Sequence, residues 1–330
     1  EGDGILEVLA TDSEGYLYAW EPDGSIREGF PVSVDYSLSR DPPCTPATIP
    51  DCDDYSPDRV RNPQNQRDWA FFPAPAVGDL DPETPGLEIV AAASDGHIYV
   101  WHQDGTPMAG WPVILRDPTK VAAMDPDTRI YTYAADSGWA PGTKALNTPS
   151  LGDLDGDGDL EVAATVNEEY NEEPNALFDE ALQEIMALAG RSGNGRIYAL
   201  HHGGAETPGT PGTEATAHTQ DQAYVGGWPV PLAAVALDLL PTAGRGSNSQ
   251  APLLDIDRDG TLEVVTATHL GPGYVLDHDG GSHLGLEDEF YGTLDMGGDE
   301  FGDESDASDD PSIVMFGGLS AGSLSGDGAL

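Results

Sequence analysis

Asp153-Leu154-Asp155-Gly156-Asp157-Gly158-Asp159-Leu160-Glu161 is the stretch that decides the fold, because its pattern returns as Asp255-Ile256-Asp257-Arg258-Asp259-Gly260-Thr261-Leu262-Glu263. Carboxylates at the first, third and fifth positions of so short a loop converge on a point. Two like charges about 4 Å apart repel by about 4 kcal/mol at a surface-like dielectric. A hard cation with oxygen ligands removes that repulsion. Calcium suits the pattern best, since it accepts about 6 to 8 oxygens in flexible geometry, whereas magnesium demands a stricter octahedron. The Gly after the third carboxylate lets the chain turn sharply. A solvated acidic turn is the bland alternative, because Asp and Gly are ordinary turn residues. A second full copy in a matching context argues against it.

The residues after each loop set its architecture. An EF-hand would carry Glu at the twelfth position, where this chain has Ala164 and Thr266. The last acid comes earlier, as Glu161 and Glu263, and leads into Val162-Ala163-Ala164-Thr165-Val166 and Val264-Val265-Thr266-Ala267-Thr268. These runs are apolar and rich in β-branched residues, so each loop caps a strand and not a helix.

The surrounding order also recurs. Residues 73–115 run from Pro73-Ala74-Pro75-Ala76-Val77-Gly78 through the acidic stretch Asp79 to Glu88 and the strand Ile89 to Ala93. They continue past Asp95-Gly96 to His97-Ile98-Tyr99-Val100-Trp101, Asp104-Gly105 and Gly110-Trp111-Pro112-Val113. The same succession is read at 1–34, at 148–230 with insertions 167–195 and 205–223, and at 251–290, and it begins again at 315–330. Gly-containing gaps between β-rich runs are hairpin signals. Repeated four-stranded units whose strands are apolar almost throughout predict sheets covered on both faces, as in a radial array. The fold expected is all-β: a partial β-propeller of about four blades, each a four-stranded antiparallel sheet, with one inserted amphipathic helix. That helix is read at 175–190, where Phe178, Ala181, Leu182, Ile185 and Ala189 fall at helical spacing. The aromatic-Pro pairs at Phe30, Trp111 and Trp228 are expected to mark outer strands, with the ring wedged between blades. The segments 35–70, 116–147 and 291–314 are further insertions.

Composition narrows function. Among 330 residues, 59 are acidic and 13 basic, a formal charge of −46, with two lysines, Lys120 and Lys144. Phosphate backbones and anionic membrane surfaces need a basic face, so both are disfavoured as partners, and with no run of 18 apolar residues no membrane insertion is expected. A surface adapted to salt, or simply kept soluble, is the competing reading of so much acid. Cys44 and Cys52 lie eight positions apart in a Pro-rich stretch and read as a local disulfide of an oxidising compartment, with free thiols the alternative. Histidines such as His97, His102, His201, His202, His269 and His278 show no nucleophile or metal-ligand spacing among themselves.

With these loops, strands and Gly-Trp-Pro-Val ends, the chain resembles the FG-GAP/VCBS repeat family, the integrin α-like β-propeller repeats of secreted bacterial proteins. Phe316-Gly317 and Ala251-Pro252 echo the family's naming residues. The resemblance implies calcium sites formed by Asp153, Asp155, Asp157 and Glu161 with the carbonyl of Asp159, and by Asp255, Asp257, Asp259 and Glu263 with the carbonyl of Thr261. Other copies depart from the pattern. The stretch with Asp79, Asp81, Glu83 and Glu88 is one residue longer and holds Pro82 and Pro85, so it either binds weakly or holds its turn without metal. Glu1, Asp3 and Glu7 form an incomplete first copy, and Ser323, Ser325 and Asp327 a degenerate last one. The family closes its ring with seven blades, which makes this chain a piece of a larger ring, with a self-contained small ring as the architectural alternative.

The function expected is an extracellular or cell-surface, calcium-stabilised module for binding, adhesion or scaffolding, with a protein or carbohydrate ligand at its surface and no catalysis of its own. The alternatives are a spacer within a larger secreted enzyme, or a propeller enzyme such as a polysaccharide hydrolase or lyase or a quinone-dependent dehydrogenase.

Overall fold

The computed structural model describes residues 6–36, 38, 69–124, 131–133, 144–168, 194–206, 223–233, 250–267, 273–283 and 293–294. Apolar runs separated by glycine turns form antiparallel sheets, because each hairpin returns the chain beside the strand it has just left. The first sheet holds β1 (Val8–Thr11), β2 (Tyr16–Trp20) and β3 (Val32–Ser33) in that order. The second holds β4 (Ala76–Gly78), β5 (Glu88–Ala92), β6 (His97–Trp101) and β7 (Val113–Ile114). A separate pair comes next, β8 (Val121–Met124) with β9 (Tyr131–Tyr133). The third sheet contains β10 (Lys144–Ala145), β11 (Ser150–Gly152), β12 (Glu161–Glu168), β13 (Asn194–Leu200) and β14 (Val230–Ala233). The fourth contains β15 (Leu253–Leu254), β16 (Glu263–Ala267), β17 (Gly273–Leu276) and β18 (Thr293–Leu294). No α-helix occurs among the described residues. None of their helical turns is long and apolar enough to cross a membrane.

The four-strand expectation holds for the second and fourth sheets and is corrected for the third. β12 is eight residues long, so β11 pairs with its start, Gly152 opposite Glu161, while β10 pairs near its far end, Ala145 opposite Val166, giving five strands. Among the described residues the first sheet has three strands, ending at β1. The last strand of the fourth sheet lies at 293–294. The helix read at 175–190, Cys44 and Cys52, and the candidate ligands Glu1, Asp3, Ser323, Ser325 and Asp327 lie outside the described residues.

Successive sheets stack face to face, giving a partial propeller-like array. One apolar cluster joins the first and second sheets through Leu17, Ala19, Phe30, Ile89, Ala91, Tyr99 and Trp101. Another joins the second and third through Val90, Ile98, Val100, Trp111, Val162, Tyr198 and Leu200. A third joins the third and fourth through Ile197, Ala199, Trp228, Val264, Tyr274 and Leu276. Alternate residues of one strand therefore serve opposite neighbours, and this is why β5 and β6 are buried at every position. The aromatic wedges sit where the sequence places them. Trp111 and Trp228 are buried, and their indole nitrogens donate across to the carbonyls of His202 (3.2 Å) and His278 (2.9 Å) in the next sheet.

Backbone also meets backbone between blades. Gly227 sits at φ +91°, and a Cβ there would strike the carbonyl oxygen of Asp279 in the hairpin of the fourth sheet. Both the left-handed conformation and the contact demand glycine. Gly227→Ala is expected to cost about 2 to 4 kcal/mol from conformational strain and overpacking together. Denaturant unfolding of the two proteins, compared at equal slope, checks it.

Candidate metal centre

The two full acidic loops sit at the same corner of adjacent sheets, one between β11 and β12 and the other between β15 and β16, and they touch. Leu262 N–H donates to the carbonyl of Leu154 at 3.0 Å. Each loop is shaped by its own carboxylates. In the first, Asp153 accepts from Gly158 N–H (3.1 Å), Asp155 from Asp157 N–H (3.2 Å) and Asp157 from Asp159 N–H (2.9 Å). In the second, Asp257 accepts from Asp259 N–H (3.0 Å), and Asp259 accepts from both the N–H and the hydroxyl of Thr261 (2.8 and 2.7 Å). Gly156 and Gly158 take positive φ in the first loop, and Arg258 and Gly260 do so in the second. Arg258 thus adopts at φ 68° a conformation that costs an L-residue about 1 to 2 kcal/mol.

The acid that ends each loop begins a strand and is fully buried. Glu88, Glu161 and Glu263 are 1%, 1% and 2% exposed. Each turns one oxygen back to the N–H of the loop's second residue: Leu80 at 2.9 Å, Leu154 at 2.8 Å and Ile256 at 2.7 Å. This clasp fixes the loop against the strand in all three sheets.

The loops then diverge. Ligand atoms of Asp153, Asp155 and Glu161 lie within 4.8 Å of one another, as do those of Asp255, Asp257 and Asp259. Asp157 does not join the first trio. Glu263 groups instead with Asp277 and His283. His283 Nδ1 lies 2.7 Å from Asp277 Oδ1, and that bond raises the imidazole pKa above its ordinary value. Asp159 lies with an oxygen 3.7 Å from His202 Nδ1. No residue of the longer loop, Asp79, Asp81 or Glu83, nor Glu88, enters any of the three clusters of metal-capable side chains found among the described residues. There the second oxygen of Glu88 faces His102 Nδ1 at 3.1 Å, and Asp81 N–H adds a further donor at 3.1 Å. Glu7 is half-buried at the head of the first sheet.

The donor set fits a hard cation. In both full loops one oxygen of the first carboxylate, Oδ1 of Asp153 and of Asp255, is shut away from water with no hydrogen-bond donor. A carboxylate oxygen so placed is costly unless a cation meets it. Burial pushes Glu161 up to about 7; Leu154 N–H pulls the other way, and Asp155, Asp157 and Asp153 add to the rise. Glu263 is also raised, first by burial, against the Ile256 N–H. Asp259 is lowered by its Thr261 hydrogen bonds. His201, half-buried beside the first loop, is lowered by burial.

Sequence reasoning missed His283, Asp277 and the Glu88–His102 pair. The only local signal was Asp277 and His283 six residues apart, flanking a tight turn.

No protein-family model matches the chain, and no curated protein matches it. Among solved structures, a europium-containing methanol dehydrogenase is similar at 11% identity and a TM-score of 0.26, over 83% of this chain and 47% of that one. This chain spans about half the length of that protein, and at that score nothing about the enzyme carries over to it.

The buried acid makes a pH prediction with a definite sign. A carboxyl raised from 4.5 to about 7 in the folded protein binds its proton more tightly there than in the unfolded chain. Its contribution to stability is complete below 4.5 and is lost as pH rises through about 7. Chelator-treated protein should therefore lose melting temperature across that window. Glu161→Gln, neutral at every pH, should flatten the decline.

Proposed function

We propose that the chain is a calcium-stabilised β-propeller module that works outside the cell as a binding, adhesion or scaffolding unit for a protein or glycan. The observation that carries the reading is the recurrence of a buried, donorless carboxylate oxygen at the same loop position in two adjacent sheets. Oxygen-only donors and three carboxylates within reach of one another favour calcium over magnesium or a transition metal. Low affinity, on the order of 10⁻⁴ to 10⁻³ M, is the range of extracellular modules. The acidic composition favours a ligand recognised by shape and hydrogen bonds and not by phosphate contacts.

The chemistry of the sites gives a direct test. Calcium at a hundredfold excess over Kd should add about 2.7 kcal/mol per site, seen as a higher melting temperature that chelator reverses. Asp153→Ala and Asp255→Ala should each remove one calcium from the calorimetric stoichiometry. A melting temperature indifferent to calcium, with unchanged stoichiometry in both variants, would reject the metal role. Binding to a glycan or protein array that persists in chelator would separate ligand recognition from the metal.

A further inference from the structure

The buried Glu of each sheet has a fixed cross-strand partner. Ile89 pairs with Trp101, Val162 with Leu200 and Val264 with Leu276. The next pair along each ladder therefore sets Glu88 against His102, Glu161 against His201 and Glu263 against Asp277. In the second sheet this register delivers an imidazole to the acid, with His102 Nδ1 3.1 Å from Glu88 Oε1. The fourth sheet puts a second carboxylate in the same place. Like charges directly opposite each other destabilise a sheet, and Glu263 is only 2% exposed. Its Oε2 accepts Ile256 N–H at 2.7 Å, which leaves the second oxygen to the corner.

The first sheet shows how such a pair is otherwise met. There Val8 pairs with Trp20, setting Glu7 against Glu21, and Arg27, six residues on, reaches Glu21 with Nη1 3.1 Å from Oε1. His283 stands six residues after Asp277 at the equivalent point of its hairpin. Its N–H donates to the carbonyl of Val275 as that of Arg27 donates to Ala19, and its Nδ1 lies 2.7 Å from Asp277 Oδ1. A guanidinium is a permanent charge that binds no metal, whereas imidazole is the commonest metal ligand. One imidazole, moreover, cannot match two carboxylates, and the one it leaves over is buried.

We propose that Glu263, Asp277 and His283 form a zinc site, separate from the calcium loop, that pins the hairpin 277–283 to the start of β16. Their ligand atoms lie within 4.8 Å of one another, while Asp255, Asp257 and Asp259 form a group of their own that does not include Glu263. Two carboxylates and a nitrogen are a mixed donor set, which suits zinc and its transition-metal neighbours, whereas calcium takes oxygen. Ligand atoms about 2.1 Å from a tetrahedral zinc ion lie about 3.4 Å apart, so small side-chain rotations complete the fit. The hairpin holds two of the three ligands in place: Asp277 N–H donates to the Gly281 carbonyl and Gly280 N–H to the Asp277 carbonyl, both at 2.8 Å. The Asp277 and His283 side chains are 38% and 21% exposed, which gives the ion a path in and leaves room for water as fourth ligand.

The test is a zinc titration of the full chain, stripped with chelator and then held in excess calcium so that the loops are filled. Calorimetry counts the ions, and Co²⁺ in place of zinc gives a visible absorption. His283→Gln and Asp277→Asn should each lose one zinc from the stoichiometry, or weaken that site by at least about tenfold. The cobalt absorption should fall in step, with the calcium stoichiometry unchanged. Asp255→Ala should do the reverse, losing calcium and keeping zinc. His283→Arg, which copies Arg27, should keep the melting temperature of the metal-free protein and still lose the zinc, so that loss of a ligand is told apart from loss of the fold. Unaltered zinc binding in His283→Gln and His283→Arg would overturn the proposal. So would displacement of the zinc by calcium, or its loss in Asp255→Ala, either of which would place the ion in the loop. The zinc differences are read against His283, so they stand whether or not the loops take calcium.

Discussion

A carboxylate buried at the start of the acid-led strand, in three successive sheets, is the constraint around which the rest of this structure is arranged. Glu88, Glu161 and Glu263 are all but excluded from water, and a charge in that position must be met by donors or a cation. Each accepts a loop N–H, which gives the loop its shape at the same time. The remaining charge is answered differently from sheet to sheet. Glu88 meets the His102 imidazole, and its longer, proline-containing loop needs no converging carboxylates. Glu161 sits among three aspartates, so its environment favours either a proton or a metal ion. Glu263 faces Asp277 and His283, while the three aspartates of its loop form a separate cluster. One structural problem has thus produced one corner in which the acid is paired with a histidine and two corners suited to a cation.

Between sheets the constraint is steric. Apolar side chains on both faces leave no room for a loosely fitted neighbour, and Gly78 and Gly152 lie close under leucines of the next sheet, while Gly29 and Gly227 bring backbone against backbone more closely still. Trp111 and Trp228 fill the outer gap and tie it with a hydrogen bond to the next backbone. The contact between the two acidic loops, Leu262 to Leu154, places two negative corners side by side. Filling one then bears electrostatically on the other.

Much of this was legible because it is local. The Asp-x-Asp-x-Asp-Gly spacing, the glycine turns and the aromatic-Pro pairs are each written within ten residues, and the structure assembles the loops, hairpins and wedges they describe. The features that escaped were non-local. Nothing in Glu161 or Glu263 announces that the first keeps company with its own aspartates while the second turns toward a hairpin of the following strand. Asp157 falls at a ligand position by spacing, yet its carboxylate lies outside the trio that Asp153, Asp155 and Glu161 form. The fifth strand of the third sheet depends on β12 running to Glu168, into a stretch that composition marks as insertion.

By itself the sequence determined that this is an all-β chain of repeated sheets, each entered through an acidic corner, because hydrophobic period, turn chemistry and loop spacing act over a few residues. Only the tertiary structure decided which carboxylates share a corner and which one is paired with a histidine instead. Those outcomes turn on contacts between sheets, where residues far apart in the chain compete for the same small space and the same charge.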